Sequence, residues 1–289
     1  MRKHSIYHGL LEFERLSNIP GIVHFSTTRQ GGVSHGEFES FNLGNYSDDD
    51  PLSIFENRTI LALMLHAPHK AFIVPHQRHG SKIAVIDSEF LRLNKAAQTV
   101  ALFGIDATIT QIKDLFLCVN TADCVPILLF DINKKAIAAI HAGWRGTVQH
   151  IVEKTLRKMT RHYGTAPSDI IAGIGPAISM KHYEVGNDVE QAFAENGFDL
   201  SPTSTRNAKS GKLHIDLKGI NRQELLRLGV ASENIETADL CTFENPDLFF
   251  SARRQGVHSG RMLTGIMLSD RSLCEIEEAL PFRNAPCRY

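Results

Sequence analysis

The chain has 289 residues, 43% of them hydrophobic and 22% charged, with a formal net charge of −1. That length supports a sizeable buried core in one large domain or two small ones. The near-neutral balance gives no electrostatic case for a nucleic acid or a membrane surface as partner, and no run approaches the roughly 20 apolar residues a bilayer crossing takes.

The opening MRKHSIYHGLLEFERL carries basic residues, but acidic ones interrupt it before any long apolar stretch. It does not read as a signal peptide, and a cytoplasmic location is the expectation. Apolar runs then recur as AFIVP (71–75), KIAVI (82–86), DATIT (106–110), LFLCVN (115–120), VPILLFD (125–131) and AIAAIH (136–141). Their near-continuous hydrophobicity predicts strands buried on both faces. The polar link DINKK between the last two suits a hairpin turn.

After Gly146 the period changes. Val148, Ile151, Val152, Thr155, Leu156 and Met159 fall on one helical face, with Thr147 as expected N-cap and Gly164 as stop. A second helix is predicted from Asp216 to Leu228, ended by Gly229, and DIIAG, NIETA and RMLTGIML read as further strands. Residues 195–212 are polar, turn-rich and without periodicity, which predicts an exposed loop. The pattern implies one domain of mixed α and β structure with helices on the outside.

Five scattered cysteines (Cys118, Cys124, Cys241, Cys274 and Cys287) without a CxxC read as reduced thiols rather than a disulfide framework or a zinc ribbon. Cys118, inside LFLCVN, fits the core. Cys124 differs, because it stands between a polar TAD segment and the apolar run that follows. His141 ends the next run and precedes Gly143 and Gly146, which flank the only tryptophan and allow close backbone approach or positive φ. The helix start behind them suits an anion, with Arg145 adding charge. Cys124 and His141 on neighbouring strands fit either a nucleophile–base pair or a metal site. His79, with His76 three residues before it in PHQRHGSK, offers a third donor. One Cys and two His leave a fourth position open, the pattern of a catalytic zinc.

Taken together, QRHGSKI, DATIT, TADCVPILLFD, IAAIHAGWRG, GIGPAIS…YEVG, DLKGINRQELLRLGV and the block from DLCT to FFSARRQGVHSGRM resemble the YfiH-type family, also labelled laccase-domain or polyphenol oxidase proteins. TTRQGGVSHGEF and FNLG are similar to its opening motifs, so the resemblance spans nearly the whole chain. It implies an α+β fold with a four-layer α/β/β/α arrangement of mixed β-sheets, and a single catalytic domain over 1–289. It also implies a zinc ion held by His79, Cys124 and His141. The implied activity is phosphorolysis of purine nucleosides (adenosine, inosine, guanosine and methylthioadenosine) with phosphate, alongside adenosine deamination; some members are credited with amidase activity on peptidoglycan precursors. Where the family motif reads QVHG, this chain has Arg78, a charge beside the ligand histidine.

For such a reaction Asp123, beside Cys124, is a candidate acid/base or orienting residue, with a turn or cap role equally open. Arg29 in TTRQGG and Arg253 or Arg254 in SARRQG are candidates for phosphate or sugar contact. Asn42 is a candidate for a ribose hydroxyl or a turn. Cys241 and His258 are assigned core and loop roles. A multicopper oxidase would need many more close-set histidines, and the chain has no HxH pair. The rivals to the zinc enzyme are a metal-free hydrolase with Cys124 as nucleophile and His141 as base, and a non-enzymatic zinc-containing binding protein.

Overall fold

The computed structural model describes residues 1–270 apart from Ser5, Ile6, His8 and Val257. Cys274 and Cys287 therefore lie outside the described residues. In chain order the strands are β1 (Arg2–Lys3), β2 (Leu10–Glu12), β3 (Ile22–Thr27), β4 (Phe72–Ile73), β5 (Ile83–Val85), β6 (Ala107–Thr110), β7 (Phe116–Thr121), β8 (Val125–Asp131), β9 (Ala136–Ala142), β10 (Ile170–Ile174), β11 (Glu184–Val185), β12 (Ser204–Arg206), β13 (Leu213–Ile215), β14 (Ile235–Thr237) and β15 (Met262–Leu268). They form two six-stranded mixed sheets, ordered β1-β2-β3-β15-β7-β4 and β14-β10-β8-β9-β6-β5, and a small sheet β11-β13-β12.

The two large sheets pack face to face. Leu117 and Val119 of β7 and Ile266 and Leu268 of β15 meet Leu128 and Phe130 of β8 and Ile137 and Ala139 of β9. The alternate residues of β8 and β9, among them Ile127, Leu129, Ala138 and Ile140, face the helices Ile151–Tyr163 and Leu217–Arg227. On the far side, Phe25, Phe116 and Cys118 pack beneath Leu61 and Leu65, at the end of the helix Pro51–Met64. Helix, sheet, sheet and helix thus form four layers, as expected. Both faces of the central strands are covered, which is why their sequences read as unbroken apolar runs. Among the described residues, no helix is long and apolar enough to cross a membrane.

The DINKK hairpin, the six predicted strands and the Asp216-capped helix stand where the sequence places them. Two details differ. Thr147 is not an N-cap: a short helix Trp144–Val148 begins at Gly143, and the long helix starts only after His150, whose φ of 56° breaks the path between them. Thr147 instead shares a buried hydrogen bond with Asn221. The segment 195–212 is not wholly loop, because β12 pairs with β13. Three polar, largely exposed residues carry no alternation from which a strand could be read. The helix Pro51–Met64 went unread for a related reason. Asp50 caps it at the amides of Leu52 and Ser53 and Pro51 opens it, but Leu52, Phe55 and Leu63 lie exposed on its outer side and blur the apolar stripe.

Candidate metal centre and cavity

The strand periodicity positions the donors. His141 is one residue beyond Ile140 and two beyond Ala139, so it takes the parity of the residues that face the opposite sheet. It pairs with Pro126, which brings the residue just before β8, Cys124, alongside it at the same end of the two sheets. His79 arrives from the loop between β4 and β5. The donor atoms of His79, Cys124 and His141 all lie within 4.8 Å of one another.

A buried carboxylate that the sequence did not single out organises this group. Asp106, directly before β6, places Oδ1 2.8 Å from His141 Nδ1 and accepts the His79 amide at 2.9 Å on the same oxygen. Its Oδ2 accepts the amides of Gly80 at 2.8 Å and Arg78 at 3.3 Å. One side chain therefore fixes the histidine ring and the loop bearing the second histidine, and leaves Nε2 of His141 for a ligand. Gln77 adds a second tie, exchanging two hydrogen bonds of 2.8 Å with the backbone of Asn120 at the end of β7. These ties support a φ of 59° at His79, a conformation that non-glycine residues seldom adopt.

The glycines of HAGWRG act through space rather than through φ. A Cβ on Gly143 would stand 3.0 Å from His79 Cδ2 and 3.1 Å from Cys124 Sγ. A Cβ on Gly146 would stand 2.8 Å from the Gly80 carbonyl oxygen. Only residues without a side chain let the donor loop close over β9 at these two points.

The donors polarise one another. Burial alone would raise the Cys124 thiol, but the charge of His141 and hydrogen bonds from His141 and His79 outweigh it and hold it at about 6. Burial would likewise lower His141, and the Cys124 charge with the Asp106 hydrogen bond lifts it to about 9. Burial pushes the Asp106 carboxyl up, and its bonds to His141 and the loop amides bring it below its ordinary value. Without a metal the group is a thiolate–imidazolium pair with a second imidazole at hand. A soft thiolate with two imidazoles, one oriented by a carboxylate, also suits a borderline cation such as Zn2+.

The donors open on a cavity of about 550 Å3. Tyr46 and His76 stack at its margin with ring centroids 3.6 Å apart, and Tyr183, Arg253 and Arg261 line it as well. Of the arginines proposed from sequence for substrate contact, Arg253 is among the lining residues. The other proposed substrate contacts are not among the lining residues. Arg29 donates to the Glu39 and Pro246 carbonyls and lies over Phe250. Arg254 donates to the carbonyls of Thr242, Phe243 and Phe249. Arg145 is exposed, with its guanidinium over the Trp144 ring. Asn42 is fully buried, and it ties Ser47, Asp49, Gly44 and Arg261 together. Its ribose-contact role is therefore corrected to a brace under the loop that carries Tyr46, because all its hydrogen-bonding capacity is used internally.

Asp123 reaches the cavity wall, but its carboxylate accepts from Thr242 Oγ1 at 2.6 Å, Ser251 Oγ at 3.0 Å and the Arg253 amide at 2.6 Å. Cys241 is buried and accepts the Ser179 amide, and His258 is an exposed partner of Asp48, in keeping with core and loop roles. Sequence reading missed Asp106, Tyr183 and Arg261. An acidic residue heading a buried strand, as in DATIT, was the one available signal.

Comparison with known proteins adds four observations. The family model described as multi-copper polyphenol oxidoreductase laccase matches residues 23–269. A purine nucleoside phosphorylase of Bacteroides thetaiotaomicron is 44% identical, covering 90% of this chain and 96% of that protein. Adenosine deaminase RL5, from an unknown prokaryotic organism, is 39% identical, covering 89% of this chain and 99% of that one. Among solved structures, the hypothetical protein YfiH of Bacillus licheniformis superposes with a TM-score of 0.81 at 29% identity, covering 91% of this chain and all of the other.

Proposed function

The chain belongs to the YfiH-type family, whose model is described as multi-copper polyphenol oxidoreductase laccase, and from that membership we propose that it is a zinc-dependent purine nucleoside phosphorylase. The observation that carries the reading is the His79–Cys124–His141 group at the wall of a nucleoside-sized cavity that three arginines, Arg78, Arg253 and Arg261, also line. The relatives named for purine nucleosides supply the substrate class. Copper-oxidase chemistry is disfavoured by the donor set: among the described residues this is the one cluster joining cysteine to histidine, far short of the many close-set histidines of a multicopper centre.

Zinc held by His79, Cys124 and His141 would act at its open position as a Lewis acid on a substrate oxygen or on water. The remaining work falls to the chain itself. Asp106 holds His141 in the tautomer that keeps Nε2 available and holds the His79 loop in register. Arg253 and Arg261 offer positive charge to phosphate at the cavity wall, Arg261 being held in place by Nη1 bonds to Ser259 and Gly260. Asp123 anchors the Arg253 amide and the turn before Cys124, and we assign it to orientation rather than proton transfer. The Tyr46–His76 stack gives the purine a planar surface near the cavity margin.

Adenosine deamination at the same site is the second reading, favoured by the 39% identical relative of that name. Incubation with adenosine, with and without phosphate, separates the two. Adenine formed only with phosphate is the expected result, and inosine in both samples marks deamination. Activity should vanish after chelation and return with zinc. If neither product forms, the purine reading falls and an amidase acting on peptidoglycan precursors takes its place. Lower thermal stability on mutating Cys124, without turnover of any nucleoside, marks a binding protein.

A further inference from the structure

Phosphorolysis leaves an electron pair on the purine when the C1′–N9 bond breaks, and a proton delivered to N7 stabilises the departing base. Asp123, the acid nearest the donors in sequence, already accepts three hydrogen bonds. Tyr183 is placed differently. It lines the same cavity, and among the described residues its hydroxyl makes no hydrogen bond. Its backbone is held on both sides, donating to the Met180 carbonyl and accepting the Ile215 amide. The Arg253 guanidinium lies 5.3 Å from its ring centroid, a cation over the ring face that lessens the cost of a transient phenolate.

We propose that Tyr183 is the general acid of this site, its O–H bonding to purine N7 and passing its proton there as the glycosidic bond breaks. The assignment rests on the phosphorolysis reading above. A phosphate oxygen bonds to C1′, the C1′–N9 pair moves into the purine ring, and the Tyr183 proton goes to N7. The phenolate then recovers a proton from the incoming hydrogenphosphate. The products are the neutral base and the sugar 1-phosphate dianion, and charge is conserved. Burial, followed by the nearby Cys124 charge, pushes the phenol above its ordinary range, so the proton stays on oxygen until charge builds on the base.

The test is Tyr183→Phe assayed with phosphate on inosine and on 7-methylinosine, whose N7 carries a methyl group and whose base leaves without protonation. A general acid supplies about 10²–10⁴-fold in rate. The variant should therefore lose about 10²-fold or more in kcat on inosine and stay near the wild-type kcat on 7-methylinosine. Retained turnover of the methylated substrate also shows that the variant is folded. Equal loss on both substrates, or no loss on inosine, overturns the assignment alone. Wild-type protein that turns over neither substrate overturns the phosphorolysis reading and the assignment with it.

Discussion

Asp106 Oδ1 accepts the His79 amide at 2.9 Å and lies 2.8 Å from His141 Nδ1, so a single carboxylate oxygen sets the positions of two of the three grouped donors. The relationship converts a loop and a strand end into one rigid unit. Asp106→Asn keeps the shape but removes the charge and turns one acceptor into a donor facing backbone amides. Metal retention should weaken by about 10- to 100-fold, read by competition with a chelator. Unchanged retention would remove the positioning role.

Gly143 and Gly146 should respond differently to the same added methyl group. Gly143→Ala presses on His79 Cδ2 and Cys124 Sγ, so its main effect should be lower metal content in a folded protein. Gly146→Ala meets the Gly80 carbonyl oxygen at 2.8 Å and should cost about 1–3 kcal/mol of stability. Elemental analysis and thermal unfolding of the two variants, side by side, check the distinction; identical profiles would contradict it.

Cys124, held at about 6 by the two histidines against the effect of burial, is a thiolate at neutral pH in metal-free protein. Iodoacetamide should label it after chelation, the rate falling as pH drops through about 6, and added zinc should protect it. Cys118, fully buried in β7 with its thiol pushed up by that burial, should remain unlabelled. Mass mapping of the labelled peptides reads both. Labelling of Cys124 indifferent to metal, with loss of activity, would favour the nucleophile reading.

His24 links stability to pH away from the cavity. It is buried in β3 and its Nε2 accepts the Phe13 amide at 2.9 Å, a bond that requires the unprotonated nitrogen. Burial lowers its folded pKa to about 4, against 6.5 for a free side chain. As pH falls, the unfolded chain takes the proton first. The His24 contribution is therefore complete above about 6.5 and is lost as pH falls toward 4, with a slope of at most about 1.4 kcal/mol per pH unit. Urea unfolding across that window should show a shallower decline for His24→Gln than for wild type. Equal slopes would assign the decline to other groups.

Local pattern alone carried the six strands from Phe72 to Ala142, the DINKK hairpin and the helix that follows Asp216, because each is encoded within a few consecutive residues. Cys124, His141 and His79 were also legible as chemistry, since few side chains bind a soft cation. Their joint placement was not, because it depends on Asp106, 27 residues after His79 and 35 before His141. Similarly, Arg29, Asn42 and Arg145 look like substrate contacts in their motifs, yet two brace loops and one packs on Trp144. Tyr183 and Arg261 look unremarkable in sequence and face the cavity. Hydrophobic period determines which elements form and which faces they bury. Which polar side chains converge on one cavity is decided only when two sheets pack and distant loops close over their common end.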